Sequence, residues 1–145
     1  MSRALRLLLD QLDGQERKAA AELGSAQLQL QQLEQQQQTL SQYQRHYSQE
    51  FQNRGQQGLS AHQFGHFQGF IDKLESSQQQ QQQGLQQARQ QLEQSRSAWM
   101  AIRTRKQAID KLMERDAERQ RLESARQEQK MLDNLAIYRF HKKSL

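Results

Sequence analysis

His62 and His66 stand one helical turn apart, a spacing that two ligands of one metal ion can use. No carboxylate or third histidine lies close to them in the sequence, so ordinary surface histidines are the stronger reading. Arg103, Arg105, Lys106 and Lys111 form a basic cluster that could meet phosphates. No aromatic platform accompanies it, and a solvated helix face explains it better. Gly65 and Gly69 make a small-xxx-small spacing, which more simply relieves crowding among Phe64, Phe67 and Phe70. The sequence has no Gly-rich phosphate loop, no His-Glu zinc motif and no plausible hydrolytic triad. With 0 Cys there is no thiolate chemistry and no disulfide. These observations predict a non-enzyme with no cofactor, no metal and no small-molecule substrate.

A different constellation has the spacing of a contact surface. Gln36, Leu40, Tyr43 and Tyr47 fall at i, i+4, i+7 and i+11, and Phe70, Leu74, Ser77 and Gln81 repeat that spacing. On two helices, each set makes one stripe. The elements that carry them must therefore be helices, and the rest of the chain says so.

Apolar residues make up 34% of 145 residues, too few for a layered core but enough for one seam between two helices. Leu12, Ala19, Leu23, Ala26, Leu30, Leu33, Leu40, Tyr47 and Phe51 recur by fours and threes, the a/d pattern of a heptad repeat. Ser2 can cap this first helix. The pattern breaks at Gln52 to Ser60, where Gly55 and Gly58 permit reversal. Ser60-Ala61-His62-Gln63 then reads as a capping box. A second seam runs through Phe67, Ile71, Leu74, Leu85, Ala88, Leu92, Trp99, Ile102, Ile109 and Met113.

The fold expected is all-α: a long two-helix antiparallel coiled-coil hairpin forming one domain over residues 1–145. Helix one covers about 3–52, the turn 53–60, and the longer helix two about 61–140. In this register, opposed residue numbers sum to about 114 or 115. That pairs Leu40 with Leu74, Leu30 with Leu85, Leu23 with Leu92 and Leu12 with Ile102, and sets Trp99 opposite Glu16. At ~1.5 Å per residue the paired length is roughly 75 Å, with an overhang of roughly 40 Å beyond helix one. The overhang keeps an apolar stripe, including Leu122, Ala125, Leu132 and Leu135, that lacks a partner within the chain. In the heptad count the two four-residue stripes converge on one side, with Tyr43 and Phe70 exposed and Leu40, Tyr47 and Leu74 half in the seam. The competing reading of that convergence is a thickened seam.

Charge is uneven. Residues 1–51 carry five Lys or Arg against six acids, residues 52–98 four against three, and residues 99–145 twelve against seven. A basic end suits an acidic partner. No apolar run approaches the ~18 residues that a membrane span needs. Leu7 to Leu9 is too short for the core of a signal peptide, so a soluble cytoplasmic protein is expected.

The stretch Leu40-Ser-Gln-Tyr-Gln-Arg-His-Tyr47, the Gly-containing turn, Phe67-Gln-Gly-Phe-Ile-Asp-Lys-Leu-Glu75 and Ala98-Trp-Met resembles the FliJ family of the bacterial flagellar type III export apparatus. The resemblance extends over nearly the whole chain in length and layout. It implies a stalk-like coiled coil, similar to the central stalk subunit of rotary ATPases, that sits in the hexameric ring of the export ATPase FliI. It further implies a link to the membrane export gate protein FlhA and the escort of empty export chaperones. The protein would lie on the cytoplasmic side of the inner membrane at the flagellar base and serve flagellum biogenesis, motility and chemotaxis. The family's gate contact maps onto Gln36, Leu40, Tyr43, Tyr47, Phe70, Leu74, Ser77 and Gln81, the same two stripes. The family example carries alanine in place of Ser77 and histidine in place of Gln81. The alternatives are the equivalent stalk of a virulence type III secretion system and, from another class, a basic nucleic-acid-binding coiled coil.

Overall fold

The computed structural model describes residues 2–144, and side chains from residue 3 to residue 143. The cap expected of the Ser2 side chain lies outside the described residues. Two helices account for the fold, α1 (Ser2–Gln57) and the longer α2 (Ala61–Ser144), making an all-α helical hairpin with no strand among the described residues. Gln, Glu, Arg, Lys and Leu are good helix formers, and with 0 Pro nothing interrupts either element.

The chain divides into two compact units. In the unit formed by residues 17–100, α1 and α2 run antiparallel on either side of the turn. Its buried residues are Ala19 and Ala26 on α1, and Phe67, Leu74, Leu85, Ala88 and Ser95 on α2. On α2, Phe67, Leu74, Ala88 and Ser95 keep to multiples of seven, so one narrow stripe faces the partner helix. Leu85, at 2% exposure, is the most enclosed of them. Ring contacts report the register directly. Tyr47 meets Phe67 with centroids 5.2 Å apart, and Phe51 meets Phe64 at 5.8 Å. Both pairs obey the expected register.

In the unit formed by residues 1–16 and 101–145, Leu12 and Ile109 are buried, and the half-buried Lys106 meets two carboxylates of α1. Its Nζ donates to Asp13 Oδ1 at 2.7 Å and to Glu16 Oε2 at 2.5 Å. Glu16 is thus engaged by a lysine seven residues, about two helical turns, beyond Trp99 in the sequence. A four-carbon stem lets the ammonium reach back along the helix, and two carboxylates hold it there. Its hydrogen bonds to Asp13 and then to Glu16 push the Lys106 ammonium from its ordinary 10.5 up to about 12. A base raised in the folded state stabilises fully below its unfolded pKa and loses that contribution as pH rises through the folded one. The contribution of Lys106 to thermal stability should therefore be flat below pH 10 and fall between about 10.5 and 12. A Lys106→Met chain, followed by melting against pH, should lose that alkaline step.

The turn is shorter than the 53–60 expected. Helix α1 continues to Gln57, and only Gly58 adopts a positive φ, +91°. Gly55 stays helical at a cost of roughly 0.5–1 kcal/mol. Packing offsets it: Phe51 touches Phe64 and Phe67, and the Arg54 guanidinium lies over the Phe67 ring at 5.8 Å. Helix α2 also outlasts the expected residue 140, with His141, Lys142 and Lys143 in its last turn favourably placed at the negative end of the helix dipole. The capping box forms as expected: Gln63 N–H donates to Ser60 Oγ and Ser60 N–H to Gln63 Oε1, both at 3.2 Å. A side chain at Gly58 would meet nothing within 4 Å, so only backbone strain opposes it. Gly58→Ala should cost about 1–2 kcal/mol in thermal or denaturant unfolding.

Candidate functional site

Burial on α1 and α2 places the two expected stripes unevenly. Gln36 and Ser77 are exposed, Leu40, Tyr47, Phe70 and Gln81 are half-buried, and Leu74 is buried at 7%. Tyr43 is exposed at 58%. Phe70, expected as an exposed aromatic, is instead covered. Tyr47 lies on it with ring centroids 4.1 Å apart, and Tyr43 approaches at 6.4 Å. The reason is the size of the rings: a flank residue one position off the seam still reaches it when the facing residue is also aromatic. Leu74 likewise sits deeper than half in the seam.

The stripes nevertheless come together. Gln36, Leu40, Tyr43, Leu74, Ser77 and Gln81 line one open groove along a single side of the unit formed by residues 17–100. Tyr47 and Phe70 continue it towards the turn through the ring contacts just described. All eight residues therefore share one side. The floor is apolar (Leu33, Leu40 and Leu74) and the rim carries glutamine amides, among them Gln32, Gln35 and Gln80, which the stripe spacing did not single out. Gln35 lies in the Gln35–Gln38 run and Gln80 in the Gln78–Gln83 run, and Gln32 lies in neither.

Polar side chains hold the seam beneath the groove. Gln78 Nε2 donates to Gln44 Oε1, and Gln81 Nε2 donates to the Leu33 carbonyl at 3.4 Å. Both glutamines fill heptad slots that an apolar residue would otherwise take. They satisfy their own amides but leave the seam thinner, which opens the space above it.

A second exposed surface lies at the end of α2. Beyond Asp116 every described side chain is exposed, including Leu122, Met131, Leu132, Leu135, Ile137 and Tyr138 at 50–66%. Successive residues turn by about 100°, so Leu132 and Ile137 point to nearly opposite sides. The apolar surface there goes around the helix and is not confined to the expected stripe. Local pairs support this helix: Arg121 Nη2 meets Glu118 Oε1 at 2.7 Å, and Gln129 Nε2 donates to Asp133 Oδ1 at 3.2 Å. The Arg121 guanidinium holds the Glu118 carboxyl below its usual range.

Other candidates fare worse. His62 and His66 face one shallow depression with Glu50 and Arg54, but Arg54 already pairs with Glu50 at 3.3 Å. No group of three metal-ligating side chains occurs among the described residues. Lys106 is committed to Asp13 and Glu16 and so leaves the basic cluster. No helix among the described residues is long and apolar enough to cross a membrane. The family model described as Flagellar FliJ protein matches residues 1–145. No curated protein is significantly similar to the chain.

Proposed function

The chain belongs to the FliJ family of flagellar export proteins, and on that premise we propose that it is a non-enzymatic stalk that couples the export ATPase to the membrane export gate. Residues 1–145 act as one hairpin. The end of α2 enters the central hole of the FliI hexamer, and the groove flanked by Tyr43 binds FlhA. Empty export chaperones are a third class of partner, and the protein works at the cytoplasmic side of the inner membrane at the flagellar base.

One observation carries the reading. A helix that is apolar on all sides needs an environment that encloses it, because a flat partner would cover one face and leave the others in water. Met131, Leu132, Leu135, Ile137, Tyr138 and Phe140 are spread around α2 in that way. A ring with a central hole supplies such an enclosure, and the basic last turn, His141 to Lys143, suits an acidic rim. Adding the full-length chain to purified FliI should raise its rate of ATP hydrolysis severalfold. An unchanged rate at saturating chain would overturn the stalk reading.

A further inference from the structure

Most of the groove lies in a belt without charge; Gln32, Leu33 and Leu74 fall just outside it, beside Glu34 and Glu75. Gln35 to Gln44 on α1 and Ser76 to Ala88 on α2 contain no Asp, Glu, Lys, Arg or His, in a chain that is 26% charged. Among the described residues, none that lines the groove is charged. The groove, floored by Leu33, Leu40 and Leu74, runs from Gln32 to Tyr43 along α1, about three turns or roughly 16 Å. Glutamine rims offer both N–H donors and carbonyl acceptors, and hold no fixed charge to attract or repel.

Resting on the gate-binding reading above, we propose that the partner face seated in this groove is itself uncharged, an apolar ridge of about three helical turns flanked by neutral polar side chains. A charged partner group here would lose its hydration against Leu40, Leu74 and Tyr43 and find no opposite charge to replace it. A neutral ridge loses little, places apolar atoms on the floor, and exchanges hydrogen bonds with the amide rim. Recognition at the groove then depends on shape and burial. Attraction over distance is left to the basic last third of the chain. The two surfaces of one protein are thereby made to respond differently to salt.

The test uses the full-length chain and the cytoplasmic part of FlhA, with Kd measured at 50 and 500 mM NaCl. It compares the unmodified chain with two double variants, Gln36→Glu with Ser77→Glu and Gln36→Lys with Ser77→Lys. Both positions are exposed on helices, and Glu and Lys are good helix formers, so circular dichroism should be unchanged. The unmodified Kd should move by less than about threefold between the two salts, since no close ion pair is there to screen. Both variants should weaken binding by about tenfold or more, because either sign buries an unpaired charge. If one sign weakens and the other tightens binding, the partner face is charged and the inference fails while the gate contact stands. If neither sign matters, the groove is not the contact. A chain that sediments as a dimer broken by both variants would assign the groove to a second copy and overturn the proposal. If the unmodified chain shows no binding at either salt, the gate reading itself is wrong.

Discussion

Removing residues 117–145 should abolish stimulation of the export ATPase while leaving the paired part of the hairpin folded. The last side chain with any seam burial is Asp116, and every described residue beyond it is exposed. The deletion therefore removes helix but almost no intramolecular packing, and the melting midpoint should stay within a few degrees. Fully burying a large apolar side chain contributes about 1.5–3 kcal/mol. Even a third of that, summed over Met131, Leu132, Leu135, Ile137 and Tyr138, corresponds to a loss of about sixtyfold or more in affinity for an enclosing ring. Truncation at residue 113 would be a less clean cut, since Met113 and Asp116 are half-buried. Deleting residues 1–12 is worse again, because it takes away the buried Leu12 and leaves Ile109 uncovered. Reduced stimulation by that N-terminal deletion would mix unfolding with loss of contact. Full stimulation by the chain ending at residue 116 would show that the apolar end is not the ATPase contact.

The second large effect is expected at Tyr43. This ring is 58% exposed at the edge of the groove and touches Phe70 only at 6.4 Å, so truncating it barely disturbs the seam. If it anchors the gate protein, Tyr43→Ala should cost ~2 kcal/mol or more, about thirtyfold in affinity. Isothermal titration against the cytoplasmic part of FlhA measures this, with circular dichroism as the control. Phe70→Ala is not an equally clean test, because Tyr47 lies against that ring at 4.1 Å and an Ala there would loosen the seam as well as the site. Phe64→Ala is the better comparison. It removes an exposed aromatic near the turn, outside the groove, and should leave gate binding unchanged even though the contact with Phe51 at the turn is lost. Equal binding by the Tyr43→Ala chain would reduce the converging stripes to packing.

The parts of this structure that were legible in the sequence are those governed by short-range periodicity. A strict fours-and-threes count fixed the two helices and the side that each buries, because a one-residue slip would have put Leu12, Ala19 and Ala26 into water together. Ser60 and Gln63 announced the start of α2, since a reciprocal pair of side-chain to backbone bonds needs only those two residues three apart. The turn was harder. Gly55 reads as a breaker in isolation, yet rings from both helices hold it in α1, and that compensation comes from residues beyond its own neighbourhood. The bond from Lys106 to Asp13 and Glu16 was hidden for a related reason. A long flexible side chain chooses its partner across the seam by geometry that spacing alone does not record. The groove was half legible: the two stripes gave much of its lining, but its openness follows from Gln78 and Gln81 taking seam positions and spending their amides inward. Nothing in the heptad count distinguishes such a groove from a merely thickened seam.

Coupling requires one chain to hold both partners at once, and bridging measures that directly. The cytoplasmic part of FlhA is fixed to a sensor surface, and FliI is passed over it with and without the full-length chain. The account predicts that FliI is retained only when the chain is present. It further predicts that the chain ending at residue 116 binds the surface but retains no FliI, and that the Tyr43→Ala chain loses both signals together. If the full-length chain binds each partner separately but FliI strips it from FlhA and leaves nothing retained, the two surfaces compete and the coupling stalk is contradicted.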